Sequence, residues 1–417
     1  MRILKLTRDI EKQLLASRHS HDIQAGRVAA RIISDVRRHG DSALFAWTKK
    51  LDGVDLHRDG VWIESRAIAT TAAEASPEFI AAARHTARNV RTVAEKQLPR
   101  PWTMNVEPGV KIGQMVRPID TIGCYIPGGR FALFSTLAMT TVPAKVAGVK
   151  RIVVVCPKPN KELLATASVL GITEIARIGG AQAIAALAHG TKTIPRVDKI
   201  FGPGNRFVTA AKQLVSNDCA IDLPAGPTEA IVLASSGNAN WFAADLIAQT
   251  EHAPDARSFL VTTSTTFARR IQDSIARQLK QLPATNSAHQ SLKTNGAILL
   301  ASSRSQACDF INRFAPEHLS LPGSPSALLD EIRAAGTIFI GPWSAQPLGD
   351  YASGSNHVLP TSGWARVRGG LSAADFVKCI TTQTIARAGF AKLAGDVQTL
   401  ARAEGLLAHA NAIEVRK

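Results

Sequence analysis

The spacing of apolar residues changes character along the chain. Over residues 1–19 and 22–50 apolar positions recur at helical spacing, with Val28, Ile32, Val36 and Ala43 set against strongly charged faces. This predicts a short amphipathic helix followed by a longer one. Ser76 and Pro77 supply an N-cap and a first-turn proline for a helix over 78–96, which Pro99 and Pro101 stop. Between 106 and 119, two alternating stretches flank an EPG turn, the pattern of a hairpin.

From Thr121 short β-branched or apolar runs alternate with helix-like segments: IGCYIP, RIVVVCP, EIARIGG, DKIFGPG and CAIDLP. The rhythm restarts at Glu229 with EAIVLAS, SFLVTTS, AILLASS, HLSL and GTIFIG, separated by helical patterns over 240–253, 265–282, 303–314 and 324–335. A βα alternation builds a parallel sheet covered by helices, because parallel neighbours need a crossover and the crossover is right-handed. The expected fold is α/β, with two doubly wound units and a crevice between them. The tail from Leu371 reads as helical and polar-rich, an arm for packing or dimerisation.

At 417 residues, with 45% hydrophobic and 20% charged positions, the chain can build more than one core. No apolar run reaches the roughly 18 residues of a membrane helix, and the charged N-terminus lacks a signal peptide's apolar centre, which points to the cytoplasm. The cysteines Cys124, Cys156, Cys219, Cys308 and Cys379 are odd in number and widely spaced, the usage of reduced thiols. The net charge of +16 is spread along the chain and interleaved with acids, without a basic tail, which argues against nucleic-acid binding. It suits attraction of an anionic dinucleotide.

Candidate chemistry falls in both halves. Glycine-rich loops follow predicted strands at GCYIPGGR, IGGAQA and FGPGN, where backbone can approach a phosphate at the carboxyl ends of a sheet. Neither GxGxxG nor a P-loop is present, and glycine at strand ends is also ordinary turn chemistry. In the second half Gln249 and His252 share a helix face ahead of Pro254, Asp350 and His357 sit in a Gly- and Ser-rich stretch, and Glu404 and His409 lie in the tail. Imidazole and carboxylate from separate segments suit zinc, while each residue alone is equally a surface or core side chain. Glu317 and His318 follow Ala315-Pro316, which ends a helix and leaves the pair in a loop, where they could be an exposed ion pair or an acid-base couple.

Taken together, these blocks closely resemble the histidinol dehydrogenase family, from DVRRHGDSALFAWTKKLDGV through GCYIPGG, GGAQAIAALA, DKIFGPGN, DLPAGPTE, QTEHAPD, FAPEHL, GDYASGSNHVLPT and GGLSAADF to EGLLAHANAIEVR. The resemblance implies two Rossmann-like units with helical arms and a four-electron oxidation of L-histidinol to L-histidine through L-histidinaldehyde, with two NAD used in turn. It places one zinc per subunit on Gln249, His252, Asp350 and His409, and the acid-base pair on Glu317 and His318. NAD contacts fall on Tyr125, Gln182 and Asn205. Substrate contacts fall on the metal ligands, Glu317, His318, Glu404 and Thr228, a position that is often serine in the family. It also implies a homodimer whose C-terminal arm completes the partner's site. A sibling zinc and NAD enzyme acting on another small polar alcohol, such as a dihydroxypropanesulfonate, is the alternative. The expected division is an N-terminal helical arm at 1–19, an NAD unit at 120–226, a discontinuous zinc and substrate unit at 20–119 with 227–370, and a C-terminal helical arm at 371–417.

Overall fold

The computed structural model describes residues 1–18, 22–128, 133–224, 226–323 and 326–417, with backbone alone for 326 and 327. The ends of two expected features, Gly129-Arg130 of the first glycine loop and the start of the helix at 324–335, lie outside the described residues, as does Ala225 of PAGPTE. Its strands are β1 (Arg2–Lys5), β2 (Trp102–Glu107), β3 (Val110–Pro118), β4 (Thr121–Tyr125), β5 (Arg151–Val155), β6 (Ile175–Ala176), β7 (Lys199–Phe201), β8 (Ala220–Ile221), β9 (Glu229–Leu233), β10 (Arg257–Thr262), β11 (Ala297–Leu300), β12 (His318–Leu321), β13 (Thr337–Ile340) and β14 (Val377–Ile385).

Two sheets are wholly parallel. One runs β6-β5-β4-β7-β8, the other β1-β11-β10-β9-β12-β13. Counted from β4 and from β9, both follow the doubly wound order 3-2-1-4-5, so the α/β expectation holds. Their central strands are continuous apolar runs, as in RIVVV and EAIVL, because helices cover both faces. A third, antiparallel sheet, β14-β3-β2, contains the hairpin expected over 106–119.

Three features differ from the sequence-based expectation. Residues 2–5 form a strand that extends the six-stranded sheet beside β11, ahead of the amphipathic helix Arg8–Ala16. Four residues are too few to show a period against the helix that follows. The C-terminal arm likewise opens with a strand, since VKCITTQTI is rich in β-branched residues and pairs along its length with β3. Finally, residues 20–119 do not pack with the six-stranded sheet. The helices Ile23–His39 and Asp41–Asp52 set Ala29, Ile32, Val36 and Leu44 against Val153, Val155, Ile184 and Leu187 of the five-stranded unit. The helix Pro77–Gln97, capped by Ser76 as its sequence predicts, buries Val90 in the same unit's other core. The helix Arg8–Ala16 joins the six-stranded unit, where Ile10 and Leu14 meet Phe310 and Leu319.

Candidate active site

The two sheets bring different ends to one cavity of about 1340 Å³. From the five-stranded sheet comes the carboxyl end of β7, continuing into the loop Gly202-Pro203-Gly204-Asn205. Gly202 has φ +111°, and a Cβ there would stand 2.1 Å from the carbonyl oxygen of Tyr125, so glycine is required. A buried ion pair fixes the loop: Lys212 Nζ donates to the Gly202 carbonyl at 2.8 Å and pairs with Asp222, whose Oδ2 accepts the Gly202 amide at 2.8 Å. Asn205 lines the cavity and caps the helix Arg206–Val215, accepting the amides of Phe207 and Val208 at 3.0 and 3.1 Å.

From the six-stranded sheet comes the amino end of β9 and β12, which are hydrogen-bonded neighbours. Proline at 316 does stop the helix Arg304–Phe314, with Ala315 turned to φ +48°. Glu317 and His318 are not in a free loop, however. His318 is the first residue of β12, and both side chains are buried. Parallel pairing sets Glu317 beside the chain entering β9, where its Oε2 accepts Thr228 Oγ1 at 2.5 Å and the Glu229 amide at 2.8 Å. His318 Nδ1 lies 3.3 Å from the Glu229 carbonyl and 3.5 Å from Glu317 Oε2, and its ring stacks on Phe339. Its Nε2 is buried without a hydrogen-bond partner, 3.7 Å from Asp350 Oδ1. Burial alone would lower the pKa of His318, but the carboxylates of Glu317 and Asp350 outweigh it and raise the value to about 10.

The remaining donors arrive from separate segments. Gln249 sits in the last turn of the helix Ala239–Thr250 and its Nε2 donates to Thr228 Oγ1. His252 lies just beyond that helix rather than on it, yet both line the cavity. Asp350 belongs to the short helix Gln346–Tyr351, not to a loop. Burial works against its carboxylate, but His318, His357 and His252 together hold its pKa below the ordinary range. His357 donates from Nδ1 to the Asp350 carbonyl at 2.9 Å and accepts Thr136 Oγ1 on Nε2 at 3.1 Å, tying Asp350 to the five-stranded unit. Burial depresses its pKa despite the Asp350 carboxylate, in keeping with that bonding pattern.

Four predicted residues do not reach the cavity within one chain. Glu404 ends the helix Arg387–Ala403 and His409 lies in Leu407–Glu414, both exposed on the arm. Tyr125 is buried, with its hydroxyl accepting the Gly180 amide at 3.2 Å, and Gln182 is buried with Nε2 on Asp52 Oδ2 at 2.9 Å. Among the described residues no group of three or more His, Cys, Asp or Glu side chains converges on a metal position. Gln249, His252 and Asp350 line the same cavity and offer one amide, one imidazole and one carboxylate, whose oxygen and nitrogen chemistry suits zinc. Sequence reasoning missed Arg18 and the side chain of Glu229, which form a buried ion pair behind Glu317 and His318. Burial pushes the Glu229 carboxyl up despite the Arg18 charge.

Twin doubly wound sheets meet at a cavity with a buried histidine-carboxylate pair, the architecture of an α/β protein with a site between its two sheets. The particular family follows from the whole chain. Residues 16–417 match the histidinol dehydrogenase family, to which the chain belongs. It is 44% identical to the histidinol dehydrogenase of Methanosarcina barkeri over 416 residues, 98% of this chain and 95% of the relative. It is 40% identical to that of Salmonella typhimurium over 396 residues, covering 94% and 91%. A crystal structure of histidinol dehydrogenase from Elizabethkingia anophelis superposes with a TM-score of 0.93 at 37% identity, covering 100% of this chain and 98% of that one. No helix among the described residues is long and apolar enough to cross a membrane.

Proposed function

We propose that the chain catalyses the zinc-dependent oxidation of L-histidinol to L-histidine through L-histidinaldehyde, reducing two NAD, as a cytoplasmic homodimer that performs the last step of histidine biosynthesis. The observation that carries this reading is the convergence of Thr228, Gln249, His252, Glu317, His318 and Asp350 on one cavity in a chain that matches the family from residue 16 to its end. Gln249, His252 and Asp350 would hold zinc together with His409. When bound, zinc would supply a Lewis-acidic anchor for the imidazole and amine of histidinol and would draw on the Asp350 carboxylate, one of the two that hold His318 charged.

His318 Nε2, buried and unpartnered, then takes the hydroxyl proton as hydride leaves the alcohol carbon for NAD. Glu317 takes a proton from the water that adds to the aldehyde carbon while His318 returns its proton to the aldehyde oxygen, giving a hydrate. One hydrate hydroxyl gives its proton to His318 as the second hydride leaves for a second NAD, and the acid formed releases its remaining proton to solvent to leave a carboxylate. Thr228 holds Glu317 in place and its added methyl, relative to serine, leaves that hydrogen bond intact. Asn205 faces the cofactor side of the cavity. Contact of NAD with Tyr125 and Gln182 requires access to two side chains that are buried here.

Sharing of sites between chains is supported by the arm itself. Glu404 and His409 are exposed, as are Leu400, Leu407 and Val415 around them, while Leu214, Trp364 and Val367 are exposed at the cavity. Two apolar surfaces of this kind fit a second copy. The test is purified protein supplied with zinc, NAD and histidinol, with dihydroxypropanesulfonate in parallel. Two NADH per histidine formed is expected. One NADH per turnover, or oxidation of the sulfonate in preference, would contradict the reading.

A further inference from the structure

Behind the acid-base pair lies a residue from the far N-terminal end of the chain. Arg18 follows the helix Arg8–Ala16, and Arg257 fixes the position of its neighbour by donating to Ser17 Oγ and to the Ser17 carbonyl, both at 2.7 Å. The Arg18 guanidinium pairs with the Glu229 carboxylate through two bonds, Nε to Oε1 at 2.7 Å and an Nη to Oε2 at 2.5 Å. Its remaining donors reach the carbonyls of Phe314 and Ala315, and its plane stacks on the Phe314 ring, 3.8 Å from the centroid. Both charged side chains are only 2% exposed.

What these contacts hold is the acid-base pair. Phe314 and Ala315 are the last residues before Pro316, Glu317 and His318, and Ala315 carries the left-handed turn that redirects the chain into β12. Glu229 is the residue whose amide donates to Glu317 Oε2 and whose carbonyl meets His318 Nδ1. A single guanidinium thus grips both sides of the pair: the turn that delivers it, and the strand entry against which it is registered. The fork geometry matters, since a lysine at this position would supply the charge but not the simultaneous bonds to a carboxylate and two carbonyls.

We infer that Arg18 is a positioning residue for the oxidation, aligning Glu317 and His318 through Glu229 and the Ala315 turn. The inference rests on the proposed acid-base roles of that pair. Displacement of reacting groups by about 1 Å costs on the order of a hundredfold in rate. Arg18→Ala is therefore expected to lower kcat by roughly 10- to 100-fold while KM for histidinol and bound zinc change little. Removing one partner of a buried ion pair is also destabilising, so the folded variant Arg18→Lys is measured beside it, with an intermediate kcat expected.

The readout that a purely structural role would not move is chemical rescue. Millimolar guanidinium is expected to raise kcat of Arg18→Ala at least several-fold, with no such gain for the wild type, for Glu317→Gln or with sodium chloride at equal ionic strength. Glu11→Gln, which breaks an exposed tie between the arm helix and Arg313, is expected to keep the wild-type kcat. A folded Arg18→Lys with unchanged kcat, or an Arg18→Ala whose lost rate guanidinium does not restore, would overturn the inference. Failure of the underlying reading looks different: the wild type would show no histidinol-dependent NADH, or Glu317→Gln would turn over normally.

Discussion

The two parallel sheets share a strand order and meet the cavity by opposite ends. The five-stranded sheet presents its carboxyl end, as open α/β sheets do, and contributes mostly backbone: a glycine loop held by the Lys212 and Asp222 pair, with Asn205 opening a helix. The six-stranded sheet presents its amino end and contributes side chains, with Thr228 and Glu229 entering β9 and Glu317 and His318 entering β12. A strand entry between neighbours fixes a side chain as firmly as a loop fixes a backbone amide. That difference suits a division of labour, in which one end cradles a cofactor and the other performs proton transfer.

If the labour is divided in this way, the largest effects belong to the side-chain end. His318→Gln is expected to lower the rate of alcohol oxidation by about 10²- to 10⁴-fold, the usual contribution of a general base. Glu317→Gln is expected to slow mainly the oxidation of added histidinaldehyde. Stopped-flow NADH traces with each substrate check this, and equal, small effects on both steps would remove the pair from the chemistry.

The backbone-built end breaks through its main chain instead. Gly202→Ala forces a Cβ against the Tyr125 carbonyl and is expected to cost on the order of 3 kcal/mol in stability or, where the loop gives way, most of the NAD affinity. Thermal melts with and without NAD distinguish the two, and a variant normal in both would show that the loop is not constrained.

A smaller effect concerns the pH dependence of the same end. Burial raises the pKa of Asp52 to about 6, more than Lys158 and the bond from Gln182 lower it. The folded state therefore binds the proton more tightly than the unfolded chain, so the stability this group contributes is full below about pH 4 and is lost as pH rises through 6. Because the group is only half-buried, solvent screening limits the effect. Asp52→Asn is expected to melt roughly 2–4 °C above the wild type at pH 8 and level with it near pH 4. An equal difference at both values would assign the effect to packing.

Much of this was legible in the residues. Each predicted parallel strand from IGCYIP to GTIFIG is present, because buried parallel strands are short β-branched runs that punctuation by Gly and Pro isolates. The pair at Glu317 and His318 stood out through Pro316. What escaped depends on contacts remote in sequence. Nothing local distinguishes Arg18 from the other charged residues of the predicted amphipathic segment, since its partner is 211 residues away. The grouping of residues 20–119 with the second sheet failed because an amphipathic face records that it is buried and not against what. HLSL reads as a strand, but placing Glu317 and His318 in a loop left out their burial, which depends on the parallel neighbour β9, beginning 89 residues earlier.

The assignment of the metal to the amino end of the six-stranded sheet is open to one direct observation: an anomalous difference map, at the zinc edge, of crystals grown with zinc and histidinol. The expected result is one peak per chain bounded by Gln249, His252 and Asp350 at about 2.0–2.2 Å, with His409 supplied by a second copy of the chain. A peak elsewhere, or one at this position completed by His409 of the same chain, would contradict it.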